Sequence, residues 1–253
     1  TMTVTRCPFS GRTYELSGTG DQHAGEFSLD GETVDPVDLE PVLRAGRICN
    51  NAEADPDTGE YMGDPTEVAL LVSAAKGDID VTVDRLAEVP FSSDRKRMTV
   101  VVDENTPTAY MKGAPAVVLD RCDRILENGE TVPLTEKRRD RILERTRDFA
   151  SDALRVLGFA ARAGVDPNGD PDAIESDMVF LGLQGMIDPP RGEVPGAVAD
   201  CRAAGIRVVM ATGDNLETAQ AVGREVGFDV DGAMTGKEFD SVDDAELETV
   251  CES

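Results

Sequence analysis

Histidine is almost absent from these 253 residues: His23 is the only one. It stands in a Gly-rich loop without candidate partners and reads as a surface residue rather than a catalytic one. The five cysteines, Cys7, Cys49, Cys122, Cys201 and Cys251, are far apart and form no C-x-x-C pair. That argues against a zinc site and against a disulfide framework, and leaves buried, reduced thiols. No apolar run approaches the roughly 18 residues needed to span a bilayer, and no signal peptide opens the chain, so a water-soluble piece is expected. The G-x-x-x-x-G-K-[ST] loop is missing, as is a G-x-G-x-x-G turn after a strand, so neither a P-loop nor a dinucleotide-binding domain is supported.

Lysine is scarce too. Five lysines stand beside twenty arginines and fifty acidic residues, giving a formal net charge of −25. This acidity argues against a nucleic-acid or anionic-membrane surface, so an anionic ligand requires a locally basic site. The spread of carboxylates along the whole chain looks like adaptation to high salt, where screening suppresses self-repulsion. With 40% hydrophobic residues and clear periodic segments, a packed fold is expected rather than a disordered acidic tail.

The pattern changes along the chain. Thr1–Thr5 alternates like a strand, and the Gly-, Ser- and Asp-rich stretch from Ser10 to Asp35 reads as loops and a hairpin. Val37–Asn51 and Pro65–Lys76 carry apolar residues at helical spacing, the second opened by Asp64 as N-cap, Pro65 at the first position and Glu67 as in a capping box. Met98–Val102 and Thr108–Lys112 read as a hairpin, Ala116–Leu126 and Thr135–Ala150 as helices, and Leu154–Ala161 as a buried strand. To about residue 170 this is an α+β pattern. After the turn-rich segment Asp166–Asp177 the rhythm becomes strand (Met178–Met186), helix (Val194–Ala204), strand (Ile206–Ala211), helix (Asn215–Val226), as in a parallel doubly wound sheet.

Four segments carry chemistry. Ala211-Thr212-Gly213-Asp214-Asn215 follows an apolar run and opens a helix, where free backbone N–H groups suit a phosphate. Asp214 there could act beside a metal or simply cap the helix. Asp188-Pro189-Pro190-Arg191 places a carboxylate and a guanidinium on stiff prolines, or is a plain rigid turn. Phe91-Ser92-Ser93-Asp94-Arg95-Lys96-Arg97-Met98 sets an aromatic beside three consecutive cations, suited to a stacked base with phosphates, or else to a core Phe beside a basic turn. Lys112-Gly113-Ala114-Pro115 puts a lysine at a strand end, with glycine leaving room for a ligand.

In order, these pieces resemble P-type ATPases of the calcium- and sodium-pump branch. The matching strings are TMTV (1–4), CNNA (49–52), GDPTEVAL (63–70), PFSSDRKRMTV (90–100), KGAP (112–115), LRVLGFA (154–160), DPPR (188–191), TGDNLETA (212–219) and TGKEFD (235–240). They span nearly the whole chain in the family's order.

The resemblance implies an α+β nucleotide-binding domain, an antiparallel sheet flanked by helices, over residues 1–175. It implies that this is joined to a partial α/β, haloacid-dehalogenase-like, Rossmann-type phosphorylation domain over residues 176–253. Phe91 would stack on adenine, Lys112 and Gly113 would line the pocket, Glu67 and Lys96 would border it, and Arg155 would reach the phosphates. Thr212, Gly213 and Asp214 would meet the γ-phosphate, supported by Asp188 and Arg191. Ser93 stands where many members carry an arginine, with Arg95 the candidate replacement.

The family's Asp-Lys-Thr-Gly-Thr segment would lie upstream of Thr1, and the Gly-Asp-Gly-x-Asn-Asp segment that helps bind Mg2+ beyond Ser253. This chain is then expected to bind ATP without forming the aspartyl phosphate. Its expected partners are the membrane helices and actuator domain of a pump at the cytoplasmic side of the cell membrane, with no nucleic acid. The alternatives are a haloacid-dehalogenase-like phosphatase, for which Asp55-Pro56-Asp57-Thr58 has the letters but no preceding apolar strand, and a non-catalytic nucleotide-binding module.

Overall fold

A computed structural model of the chain describes residues 2–18, 24–55, 58–188, 193–213, 216–230 and 232–239. The backbone divides into two compact units, residues 1–147 with 155–188, and residues 148–154 with 189–253.

The first unit is built on an eleven-stranded sheet. Its strands begin with β1 (Thr3–Phe9), β2 (Arg12–Leu16), β3 (Phe27–Leu29) and β4 (Glu32–Thr33). A short separate pair follows, β5 (Glu53–Ala54) and β6 (Tyr61–Met62). The sheet resumes with β7 (Asp84–Val89), β8 (Arg97–Asp103), β9 (Thr108–Gly113), β10 (Cys122–Glu127), β11 (Glu130–Pro133), β12 (Arg155–Ala163) and β13 (Met178–Ile187). Helices α1 (Glu40–Ile48), α2 (Pro65–Lys76), α3 (Pro115–Leu119), α4 (Glu136–Ser151) and α5 (Pro171–Ile174) are interspersed. The spatial order is β4-β3-β2-β1-β13-β12-β9-β8-β7, with β10 and β11 attached to β13. Pairing in this sheet is antiparallel except between β10 and β13.

Alternation explains the two faces of the sheet. Met98, Val100 and Val102 of β8 pack with Val42, Leu43, Leu70 and Phe159 in the main core, so α1 and α2 cover that side. A buried polar tie joins the same helices to the central strand: the Ser73 hydroxyl lies 2.8 Å from Gln184 Oε1, and Gln184 Nε2 donates to the Val42 carbonyl at 3.2 Å. Gln184 is fully buried, so both ends of its amide need these partners. Helix α2 starts at Asp64, which accepts from the Thr66 amide at 2.9 Å, with Pro65 in the first turn, but Glu67, expected in a capping box, instead turns its carboxylate to Lys112.

Three readings are corrected. Met178–Met186 is not the first strand of a parallel second sheet; as β13 it is flanked by β1 and β12 in the antiparallel one, and the division falls after Asp188 rather than after residue 175. A strand buried on both faces is apolar throughout whichever sheet it joins, so its composition did not distinguish the two. Ala116–Leu126 is helical only to Leu119; from Cys122 it is β10, drawn into the sheet by pairing with Phe180 and its neighbours. Ile206–Ala211 forms no strand: Ile206 is 57% and Val209 79% exposed. A strand needs a backbone partner, and the described residues of the second unit contain no other strand to supply one.

The second unit contains, among its described residues, α6 (Val194–Ala203), α7 (Leu216–Glu225) and α8 (Gly236–Phe239), together with irregular backbone. Gly205 and Gly227 follow α6 and α7 at φ values of 73° and 91°, the left-handed C-terminal position that glycine takes at least cost. Thr235 and Glu238 exchange cap bonds at the start of α8, the Thr235 amide donating to Glu238 Oε2 at 2.7 Å and the Glu238 amide to Thr235 Oγ1 at 3.3 Å. No helix among the described residues is long and apolar enough to cross a membrane.

Burial pushes the thiols of Cys7 and Cys122 up to about 12 and that of Cys49 to about 11. Because the thiolate is the reactive form, these three will resist alkylation at pH 8 in the native chain and react on unfolding. Peptide mass spectrometry after iodoacetamide pulses checks this.

Candidate functional site

Antiparallel register decides which chemical residues meet. Val89 of β7 pairs with Thr99, Arg97 with Gly113, Met98 with Lys112, and Lys112 in turn with Phe159 of β12, while Gly113 pairs with Gly158. The end of β7, the start of β8, the end of β9 and the start of β12 therefore share one end of the sheet. Phe91, Lys96, Lys112, Gly113 and Arg155 all lie there. Arg155 pairs with Met186, which brings the end of β13, and with it Asp188, to the same end.

The side chains there differ in burial. Phe91 is 60% exposed, which removes it from the core. Lys96 and Arg155 are also exposed. Lys112 is only 7% exposed, on the side covered by α1 and α2, and its ammonium donates to Glu67 Oε1 at 2.6 Å. A buried ammonium needs such a partner, so the Glu67 carboxylate at the head of α2 is directed to Lys112. The CNNA segment builds the wall beside it. Asn50 Nδ2 donates to the carbonyls of Gly46 and Glu67 at 3.0 and 2.9 Å, tying the end of α1 to the start of α2. The Cys49 thiol lies 3.5 Å from the Met98 carbonyl.

Gly113 has a different role from the one its motif suggested. A Cβ there would lie 2.5 Å from the Lys96 carbonyl oxygen and 2.9 Å from Arg97 Cα, so the glycine lets β9 close against β8. The approach is held by the Ala114 amide donating to that same Lys96 carbonyl at 3.0 Å. Lys96 pays the strain: its φ is 53°, a left-handed conformation that the bond from its amide to the Ser92 carbonyl at 2.7 Å helps to hold.

On the opposite side of the same sheet end lies a carboxylate that the sequence did not single out. Glu175 is fully buried, and Arg97 Nε and Thr99 Oγ1 donate to it at 2.8 and 2.7 Å. Arg95, the candidate replacement for a phosphate contact, also donates to Glu175, and its other nitrogen holds the Pro90 carbonyl at 3.0 Å. It is committed to the protein. Burial alone would raise the Glu175 pKa, but the hydrogen bonds from Arg95, Thr99 and Arg97 hold it below the ordinary value of 4.5. One further charge is near, Asp172 at 4.0 Å from Arg97. Nothing in the acidic segment Asp166–Asp177 marks Glu175 out; only the fold brings its partners to it.

Thr212 and Gly213 are exposed in the second unit, in irregular backbone before α7. Arg191 and Asp214, like His23, lie outside the described residues. Among the described residues no group of three or more His, Cys, Asp or Glu side chains could hold a metal ion.

Residues 38–193, more than half of the chain, match the family model described as P-type ATPase, cytoplasmic domain N. The chain belongs to the P-type ATPases. The matched segment ends close to Asp188, where the first unit ends. Similar P-type ATPases include the calcium-transporting ATPase 1 of Bacillus cereus, 42% identical over 208 residues that make up 79% of this chain and 23% of that protein. The cation-transporting ATPase pma1 of Synechocystis is 39% identical over 99% of this chain and 30% of its own length. The sodium/potassium exporting P-type ATPase cta3 of Schizosaccharomyces pombe is 37% identical over 83% of this chain and 22% of its own. The chain thus spans less than a third of the length of these relatives.

Two outcomes follow for this sheet end. Gly113→Ala will lower unfolding free energy by about 1–3 kcal/mol in urea titration, because its new methyl meets backbone rather than a movable side chain. The stability that Glu175 contributes through its depressed pKa is complete above its ordinary value of 4.5 and is lost as pH falls through the folded-state value. Thermal melts between pH 7 and pH 3 will therefore show a steeper acid loss for the native chain than for Glu175→Gln.

Proposed function

We propose that this chain is the ATP-binding cytoplasmic region of a cation-transporting P-type ATPase, which couples ATP hydrolysis through an aspartyl phosphate to ion movement across a membrane. The observation that carries it is the gathering of an exposed aromatic, Phe91, with Lys96, Lys112 and Arg155 at one sheet end in a protein of net charge −25. Phe91 stacks on the adenine, Lys112 and Glu67 line the base pocket, Lys96 borders it, and Arg155 extends toward the phosphates. Gly113 shapes the pocket indirectly, by letting the two strands close.

The second unit, in this reading, is part of a haloacid-dehalogenase-like, Rossmann-type phosphorylation domain. Thr212, Gly213 and Asp214 meet the γ-phosphate there, with Asp188 and Arg191 supporting. The exposed Ile206, Val209 and Met210 fit a strand whose sheet is completed by other parts of a longer protein. Mg2+ comes with the triphosphate and offsets the charge that develops during phosphoryl transfer. The nucleophilic aspartate, the membrane helices and the actuator domain belong to that longer protein, with this region on the cytoplasmic face.

The reading is tested by calorimetric ATP titration in molar salt on the native chain beside Phe91→Ala and Lys112→Ala. Stacking of a base on an aromatic is worth about 1–3 kcal/mol, so Phe91→Ala will weaken ATP by about tenfold or more. Affinities unchanged in both variants would sink the assignment.

A further inference from the structure

We infer that Glu175 is a positioning residue for the nucleotide site: acting through Arg95, it holds the 90–96 loop, and so the Phe91 ring, in its binding-ready place. The inference rests on the nucleotide reading proposed above. Phe91 is exposed, and none of residues 90–96 is buried. What holds the loop is polar. Arg95 donates to the carbonyl of Pro90, the residue directly before Phe91, and with its other terminal nitrogen to Glu175. The Arg95 amide donates to Ser92 Oγ at 3.2 Å and the Lys96 amide to the Ser92 carbonyl at 2.7 Å, which closes the turn.

Glu175 suits an anchor because it is itself buried and held by several donors. Its side chain is fully buried, and it is clamped from the sheet by Arg97 and Thr99 as well as by Arg95. A guanidinium can hold a carbonyl and a carboxylate at once through its rigid fork, which an ammonium on a flexible stem does not reproduce. Arg97 and Thr99 alternate to the side of β8 opposite Met98, whereas Met98 pairs with Lys112 and shares its side. Glu175 is therefore on the side of the sheet away from the base pocket, and its bond to Arg95 is the one that reaches the 90–96 loop carrying Phe91. An aromatic shelf that is ordered before ligand arrives loses less freedom on binding, so a loosened brace appears as weaker affinity.

The test compares Glu175→Gln, Arg95→Lys and Thr99→Val by ATP calorimetry below their melting temperatures and by amide hydrogen exchange of residues 92–96 without nucleotide. Glu175→Gln and Arg95→Lys are expected to weaken ATP by about tenfold and to speed exchange at the Arg95 and Lys96 amides. Thr99→Val removes a donor from the same carboxylate but leaves both arms of the Arg95 brace, so it is expected to lower the melting temperature while weakening ATP and speeding loop exchange less than either of the other two. Should Glu175→Gln fail to fold, Arg95→Lys, at a partly exposed position, carries the comparison. Native ATP affinity in Glu175→Gln or Arg95→Lys, or an equal loss in Thr99→Val, would overturn the inference alone. A native chain that takes up no ATP overturns the nucleotide reading and this inference with it, and loop exchange then shows whether the brace itself was correctly described.

Discussion

The constraint on which the rest depends is the antiparallel register of β7, β8, β9 and β12. Antiparallel neighbours place the end of one strand beside the start of the next, so residues far apart in sequence are delivered to a single edge. That arrangement brings together Phe91 after β7, Lys96 before β8, Lys112 at the end of β9 and Arg155 at the start of β12. At Gly113 a Cβ would meet the backbone of Lys96 and Arg97 at the start of β8, so a side chain there would force the strands apart.

Charge at this edge is handled locally. The chain carries a net charge of −25, and the cations near the edge are only partly balanced: Lys112 pairs with Glu67, Arg95 and Arg97 share the one carboxylate of Glu175, and Lys96 and Arg155 stay exposed. Between unit charges about 4 Å apart the interaction is about 4 kcal/mol at an effective dielectric of about 20, enough for a near contact to outweigh a diffuse field that salt screens within a Debye length of about 10 Å at 0.1 M. The Lys112–Glu67 pair and the Arg95–Glu175–Arg97 cluster lie on opposite sides of the same sheet end. One shapes the pocket proposed for the base, and the other braces the loop that carries the aromatic.

The motifs that resemble other P-type ATPases divide, on inspection of the fold, into chemistry and carpentry. CNNA ties α1 to α2 through Asn50. The aspartate and proline of GDPTEVAL start a helix, while its glutamate pairs with Lys112. KGAP contributes a cation and a close strand approach. In PFSSDRKRMTV the ring is exposed, while two of the three consecutive cations are bound to a buried carboxylate about eighty residues away. A string of residues can announce that a segment matters without saying which of its members touches ligand.

Local pattern was enough for α1, α2 and α4, for the β8–β9 hairpin and for the cap at Asp64, because caps, apolar periodicity and turn chemistry act over a few residues. It was enough, too, for the family. It did not place β13, since an apolar run looks alike in any sheet that covers both its faces, nor β10, whose strand form depends on Phe180 and its neighbours. It did not find Glu175, one carboxylate in an acidic segment. Those were decided by tertiary structure, because strand partners and buried ion pairs are set by residues that meet only after the chain has folded.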